Sequence, residues 1–65
     1  MSGSDTNALE YLNASIRENM NEVTDVLAVG GASDFAEYRY QCGVIQGLAI
    51  AERELLDIKK KIEDA

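Results

Sequence analysis

The chain contains no histidine, no proline, no tryptophan and a single cysteine, Cys42. Lack of histidine removes the commonest general base, the commonest metal ligand and the usual pH switch together. One cysteine cannot close an intrachain disulfide or a zinc knuckle, so the staples of small secreted domains are missing. Bases are scarce as well: six Lys and Arg face twelve Asp and Glu, for a net charge of −6. That balance argues against nucleic acid and anionic membrane surfaces as direct partners. Apolar runs such as Leu48-Ala49-Ile50-Ala51 fall far short of the ~20 residues a membrane-spanning helix needs. Met1–Asp5 has neither the basic region nor the apolar core of a signal peptide, which predicts a protein that stays in the cell where it is made. A match to a glycosylation acceptor, Asn13-Ala14-Ser15, carries no weight in the middle of a helical pattern. With 65 residues there is room for one small domain, and a chain of this size buries only about 60% of its unfolded surface. No enzyme, cofactor or metal is expected from such a composition.

What is present is helical pattern. Leu9, Leu12, Ile16, Met20, Val23 and Leu27 recur at the α-helical period, with Arg17, Glu18, Asn21, Glu22 and Asp25 largely opposite. Asp5-Thr6-Asn7 supplies a start, and Asn7 with Glu10 has capping-box spacing. The glycine pair in Val29-Gly30-Gly31-Ala32-Ser33-Asp34 ends the segment, either glycine being able to take the left-handed conformation past a helix terminus. Asp34 with Glu37 repeats the cap pattern, and Lys59, Lys60 and Lys61 lie where a helix C-terminus favours positive charge. The sequence therefore predicts an all-α fold: an antiparallel hairpin with one helix over about 6–28, a glycine turn at 29–33 and a longer helix over about 34–63.

The second helix carries more apolar surface than one neighbour can cover. Phe35, Tyr38, Cys42, Ile45, Ala49 and Leu56 form one seam, broken by Glu52. Val44, Leu48, Ala51, Leu55, Ile58 and Ile62 form another, an unbroken a/d heptad run, roughly 120° away. Folding back from the turn places Leu27 near Phe35 and Leu9 near Arg53, so Leu55, Leu56, Ile58 and Ile62 lie near or beyond the end of the first helix's stripe. Burying such side chains is worth ~1.5–3 kcal/mol each. The surplus is either a frayed amphipathic tail or a site of association with another chain, and the second reading is favoured. Gly43 and Gly47, followed by Ala51, add a flat strip inside the same helix. Each glycine costs roughly 1 kcal/mol relative to alanine there, so the strip serves either a tight contact with a partner or internal packing. The candidate partner surface is Tyr40, Gly43, Val44, Gly47, Leu48, Ala51, Leu55, Ile58 and Ile62.

Reactive chemistry is not apparent. Glu18 with Glu22, Glu52 with Glu54 and Glu63 with Asp64 read as solvated helix faces, and Cys42 has no histidine to activate it. Gly30-Gly31-Ala32-Ser33 lacks the lysine and spacing of a phosphate loop.

The stretch Gly30-Gly31-Ala32-Ser33-Asp34-Phe35-Ala36-Glu37-Tyr38, followed by Cys42-Gly43-Val44-Ile45-Gln46-Gly47-Leu48-Ala49-Ile50-Ala51-Glu52, resembles small uncharacterised helical-hairpin proteins of tailed bacteriophages. The resemblance spans a third to a half of the chain, carries no catalytic pattern and leaves the N-terminal third unmatched. It implies a phage structural or assembly protein that docks on or oligomerises within a head, portal or head–tail assembly, located in the virion and, before assembly, in the host cytoplasm. The alternative is a soluble acidic accessory protein that binds and inhibits a host protein. Mimicry of nucleic acid would need acids crowded on one face, and here they are interleaved with bases over both helices.

Overall fold

A computed structural model describes the backbone of residues 2–65 and the side chains from Asn7 onward. Two helices make up the described chain, α1 over Ser2–Ala28 and α2 over Phe35–Asp64, folded into a hairpin of 47 × 14 × 12 Å. Helix α1 starts ahead of the expected boundary, so Asn7 lies inside it and does not cap it. The side chains of Asp5 and Thr6, the rest of the expected start signal, lie outside those described.

The connection is built from backbone hydrogen bonds. The Gly30 amide donates to the Leu27 carbonyl at 3.0 Å and the Gly31 amide to the Val26 carbonyl at 2.8 Å, the paired bonds of a Schellman motif. Gly30 takes the left-handed conformation with φ of 74°, which a side chain would strain. Gly31 is glycine for a different reason: a Cβ there would press on the Val26 side chain and come within 2.7 Å of the Val26 carbonyl oxygen. Extended Asp34 then opens α2, its carboxylate accepting the Glu37 amide at 2.8 Å. The Glu37 carboxylate reaches back one residue further than a standard capping box, accepting the Ser33 amide at 3.0 Å and the Ser33 hydroxyl. These bonds hold the Glu37 carboxyl below its ordinary value of 4.5, the Ser33 hydroxyl contributing most.

Side-chain pairs report the register. Arg17 forks onto the Glu52 carboxylate, with Nε donating at 3.1 Å, and Lys59 meets Glu10 at 3.2 Å. From Glu10 to Arg17 and from Glu52 to Lys59 the step is the same, two helical turns in opposite directions along an antiparallel pair. This corrects the expected fold-back, in which Leu9 stood beside Arg53. Residues 31–34 do not double straight back; they carry the chain onward before α2 begins, leaving Phe35 exposed past the end of α1. The lower part of α2 is thereby drawn alongside the first turns of α1.

The contact line follows from that register. On α1 the partly covered positions include Leu9, Asn13, Ile16, Met20, Val23 and Leu27, alternating steps of four and three. On α2 they include Gln41, Ile45, Leu48, Glu52, Leu55, Lys59 and Ile62 with the same alternation. Neither α2 seam faces α1 squarely: α1 lies over the strip between them. Leu55 is the one buried side chain among the described residues, 5% exposed. It was expected near or beyond the end of the first helix's stripe, and the shifted register together with the earlier start of α1 covers it. Asn13 occupies the inward position expected for Leu12, and its Oδ1 is buried without a hydrogen-bond partner.

Two outcomes test this packing. Leu55→Ala is expected to destabilise the hairpin by about 2–3 kcal/mol, enough to abolish a thermal transition in so small a core. Asn13→Leu is expected to stabilise it by about 1 kcal/mol, because it removes an unsatisfied acceptor from the contact line. Circular dichroism melts check both. Acidification supplies a third test. A carboxylate with a lowered folded-state pKa contributes its stabilisation above the ordinary value and loses it as pH falls through the folded value. Wild type is expected to lose stability below pH 4.5 by a small margin that Glu37→Gln lacks, read as the difference between their melting temperatures across that range.

Candidate interaction surface

Each helix shelters only one side from water, and the two uncovered faces of the hairpin differ in character. One carries the ion pairs Arg17–Glu52 and Glu10–Lys59. From α2 it also presents Leu56 and Tyr38, and Tyr38 stacks on Phe35 at 6.3 Å between ring centres. A hydrogen bond with Cys42 raises the Tyr38 hydroxyl above its usual value of 10, and Cys42 itself is a free, half-buried thiol.

The opposite face is apolar and small. Near the turn, Glu22, Val23 and Val26 of α1 and Tyr40, Gln41 and Val44 of α2 line an open groove of about 340 Å³. Tyr40 stands over it 72% exposed, while the Oε1 of Gln41 is buried with no hydrogen-bond partner. By helical geometry Ile58 lies in line with Tyr40 five turns along α2, and Leu12 lies within about 40° of Val26 on α1. Leu12 and Ile58 are each 49% exposed, forming a second apolar patch near the open end. Gly47 and Ala51 lie between the two patches on α2, both exposed. By helical geometry Glu22, Glu37, Glu54 and Lys61 bring charge within about 60° of the centre of this face, and Glu22 is part of the groove lining.

The sequence-derived surface is therefore divided by the fold. Tyr40, Gly43, Gly47, Ala51 and Ile58 remain on the open face. Val44 and Leu48 are half-covered, Val44 as a wall of the groove. Leu55 is withdrawn into the contact with α1, and Ile62 is partly covered. The contribution of α1 was missed, because Leu12 and Val26 fit the periodic reading as core or went unremarked. A wheel centred on Asn13 in place of Leu12 would have turned both outward.

The glycines decide between the two readings of the strip. A Cβ built on Gly43 or Gly47 meets nothing within 4 Å, so neither glycine makes room for α1. Internal packing gives no return for their conformational cost of roughly 1 kcal/mol each. Chemistry is not in evidence beside them. No group of three or more His, Cys, Asp or Glu among the described residues could hold a metal ion, and no helix among them is long and apolar enough to cross a membrane.

Gly43→Ala and Gly47→Ala are each expected to raise the stability of the dilute, monomeric chain by up to about 1 kcal/mol. A fall in helix content or melting temperature would mean that the glycines serve the hairpin after all. Comparison with known proteins finds no matching family model, no matching curated protein and no matching solved structure.

Proposed function

We propose that this chain is a non-enzymatic phage structural or assembly protein, a small helical hairpin that docks on or oligomerises within a head, portal or head–tail assembly. The observation that carries the interaction role is the open face with its two unfilled glycines, where a helix gives up stability without internal compensation. The phage setting rests on the resemblance of the segment from Gly30 to Glu52. In this reading the partner is protein, nucleic acid and membrane are not contacted directly, and the chain passes from the host cytoplasm into the virion.

The acidic-inhibitor alternative draws less support. Glu10 and Glu52 are each engaged with a base on the charged face, and the acids bordering the open face, Glu22, Glu37 and Glu54, are spread along its length. A nucleic-acid mimic needs a dense, unneutralised acidic surface. Mass spectrometry of purified virions tests the structural role. The protein is expected at a constant ratio to the major head or tail proteins, and its absence from particles would overturn the assignment.

A further inference from the structure

We infer that the open face is a self-complementary interface, and that it is covered by a second copy of this chain packed with its turn at the opposite end, giving a four-helix dimer. The inference rests on the interaction role proposed above and names the partner.

Area is the first argument. A compact folded monomer of 7.1 kDa exposes about 4,100 Å². This chain exposes 4869 Å², and the excess is close to the roughly 800 Å² that each partner contributes to a standard interface. The elongated hairpin thus has surface to spare on the scale that a second copy would cover, and a face of 47 × 14 Å has the dimensions to supply the contact.

The arrangement of the face is the second argument. A concave feature, the groove between Val26 and Val44, sits at one end, and the exposed apolar pair Leu12 and Ile58 at the other. From Leu12 to Val26 and from Val44 to Ile58 the separation along the helix is the same, about 21 Å at 1.5 Å per residue. A two-fold axis lying across the hairpin, over Asn19 of α1 and Ala51 of α2, exchanges these ends. Each Leu12–Ile58 patch then covers the groove of the other copy, and both lengths of α2 run antiparallel across their small residues. Ala51 meets its own equivalent at the axis, while Gly47 and Gly43 lie open to the facing helix. This is an isologous contact, closed by symmetry, with no exposed template for further growth.

Charge is the third. The molecule is acidic overall, so random self-association would be opposed by repulsion. On this face Glu54 and Lys61 stand toward the outer edge of α2, where they keep their water after pairing, while Glu22 lines the groove. On the other face charges bridge the two helices, and a second copy would have to desolvate them.

Sedimentation equilibrium of the full chain, up to about 200 µM, is expected to show a monomer–dimer equilibrium with no higher species. Tyr40→Asp and Ile58→Asp are each expected to weaken dimerisation at least about tenfold, while Leu56→Asp, on the charged face, changes it less than about twofold. Gly47→Leu, which favours the helix, is expected to keep full helix content and lose the dimer. Register is read by Ala51→Cys in a Cys42→Ser background, which should crosslink efficiently to its own equivalent on mild oxidation. Crosslinking as weak as that of an exposed control, Gln46→Cys in the same background, would overturn the antiparallel arrangement. A chain that stays monomeric throughout, or a dimer lost with Leu56→Asp and retained with Ile58→Asp, would overturn the interface. The two proposals fail separately. A monomer found in purified particles would remove the second copy and leave the assembly role standing. A dimer absent from particles would uphold the interface and end the assembly role.

Discussion

Along the contact between α1 and α2, Leu9, Ile16, Met20, Val23 and Leu27 meet Ile45, Leu48, Leu55 and Ile62, and each of these side chains is sheltered from one direction only. Two cylinders touch along a line, so water reaches the flanks of every residue on it. Among the described residues Leu55, set between the Arg17–Glu52 and Glu10–Lys59 pairs along α2, is covered most, at 5% exposed. Apolar burial is the main favourable term in folding and grows with area removed from water. A hairpin that completes so few burials has little to set against the ordering of its backbone. The open glycine face follows from this limit, since it is where further area remains to be gained.

Local devices at the turn partly compensate for the thin core. The Schellman bonds at Gly30 and Gly31, the Asp34 cap and the return of the Glu37 carboxylate to Ser33 satisfy backbone groups that would otherwise be left to water. They fix where α1 stops and α2 starts, and through that distance they fix which residues face each other. The onward course of residues 31–34 is decisive, because it slides α2 along α1 until Leu55 is covered and Glu10 reaches Lys59.

The faces of the hairpin divide the remaining tasks. On one, ion pairs bridge the helices and hold the register; pairs of this partly exposed kind contribute little energy but exclude other alignments. On the other, small and apolar side chains are kept clear of such pairs. An interface gains most where few charged groups must be stripped of water, so the separation of charge from apolar surface is itself a functional feature. The two unsatisfied oxygens, on Asn13 and Gln41, are the places where the helix contact is not self-sufficient.

Much of this was legible in the linear sequence. Two helices, the glycine break and the Asp34–Glu37 cap follow from residue types and short spacings, which act within a few positions of the chain. The apolar surplus on α2 was also visible, as was the unusual Gly43–Gly47 spacing. Which part of the surplus stays exposed was not, because rotation and register are set by the path of the turn and by contacts across the pair. Periodicity assigned Leu12 to the inside and Leu55 to the outside; the structure turned Asn13 inward and buried Leu55. A helix wheel reads 3.6 residues per turn without knowing where the neighbour lies, and a shift of one position turns the inward face by 100°. The amino-acid sequence determined that there would be helices and an excess of apolar surface, and only the packing of one helix on the other decided which side that surface faces.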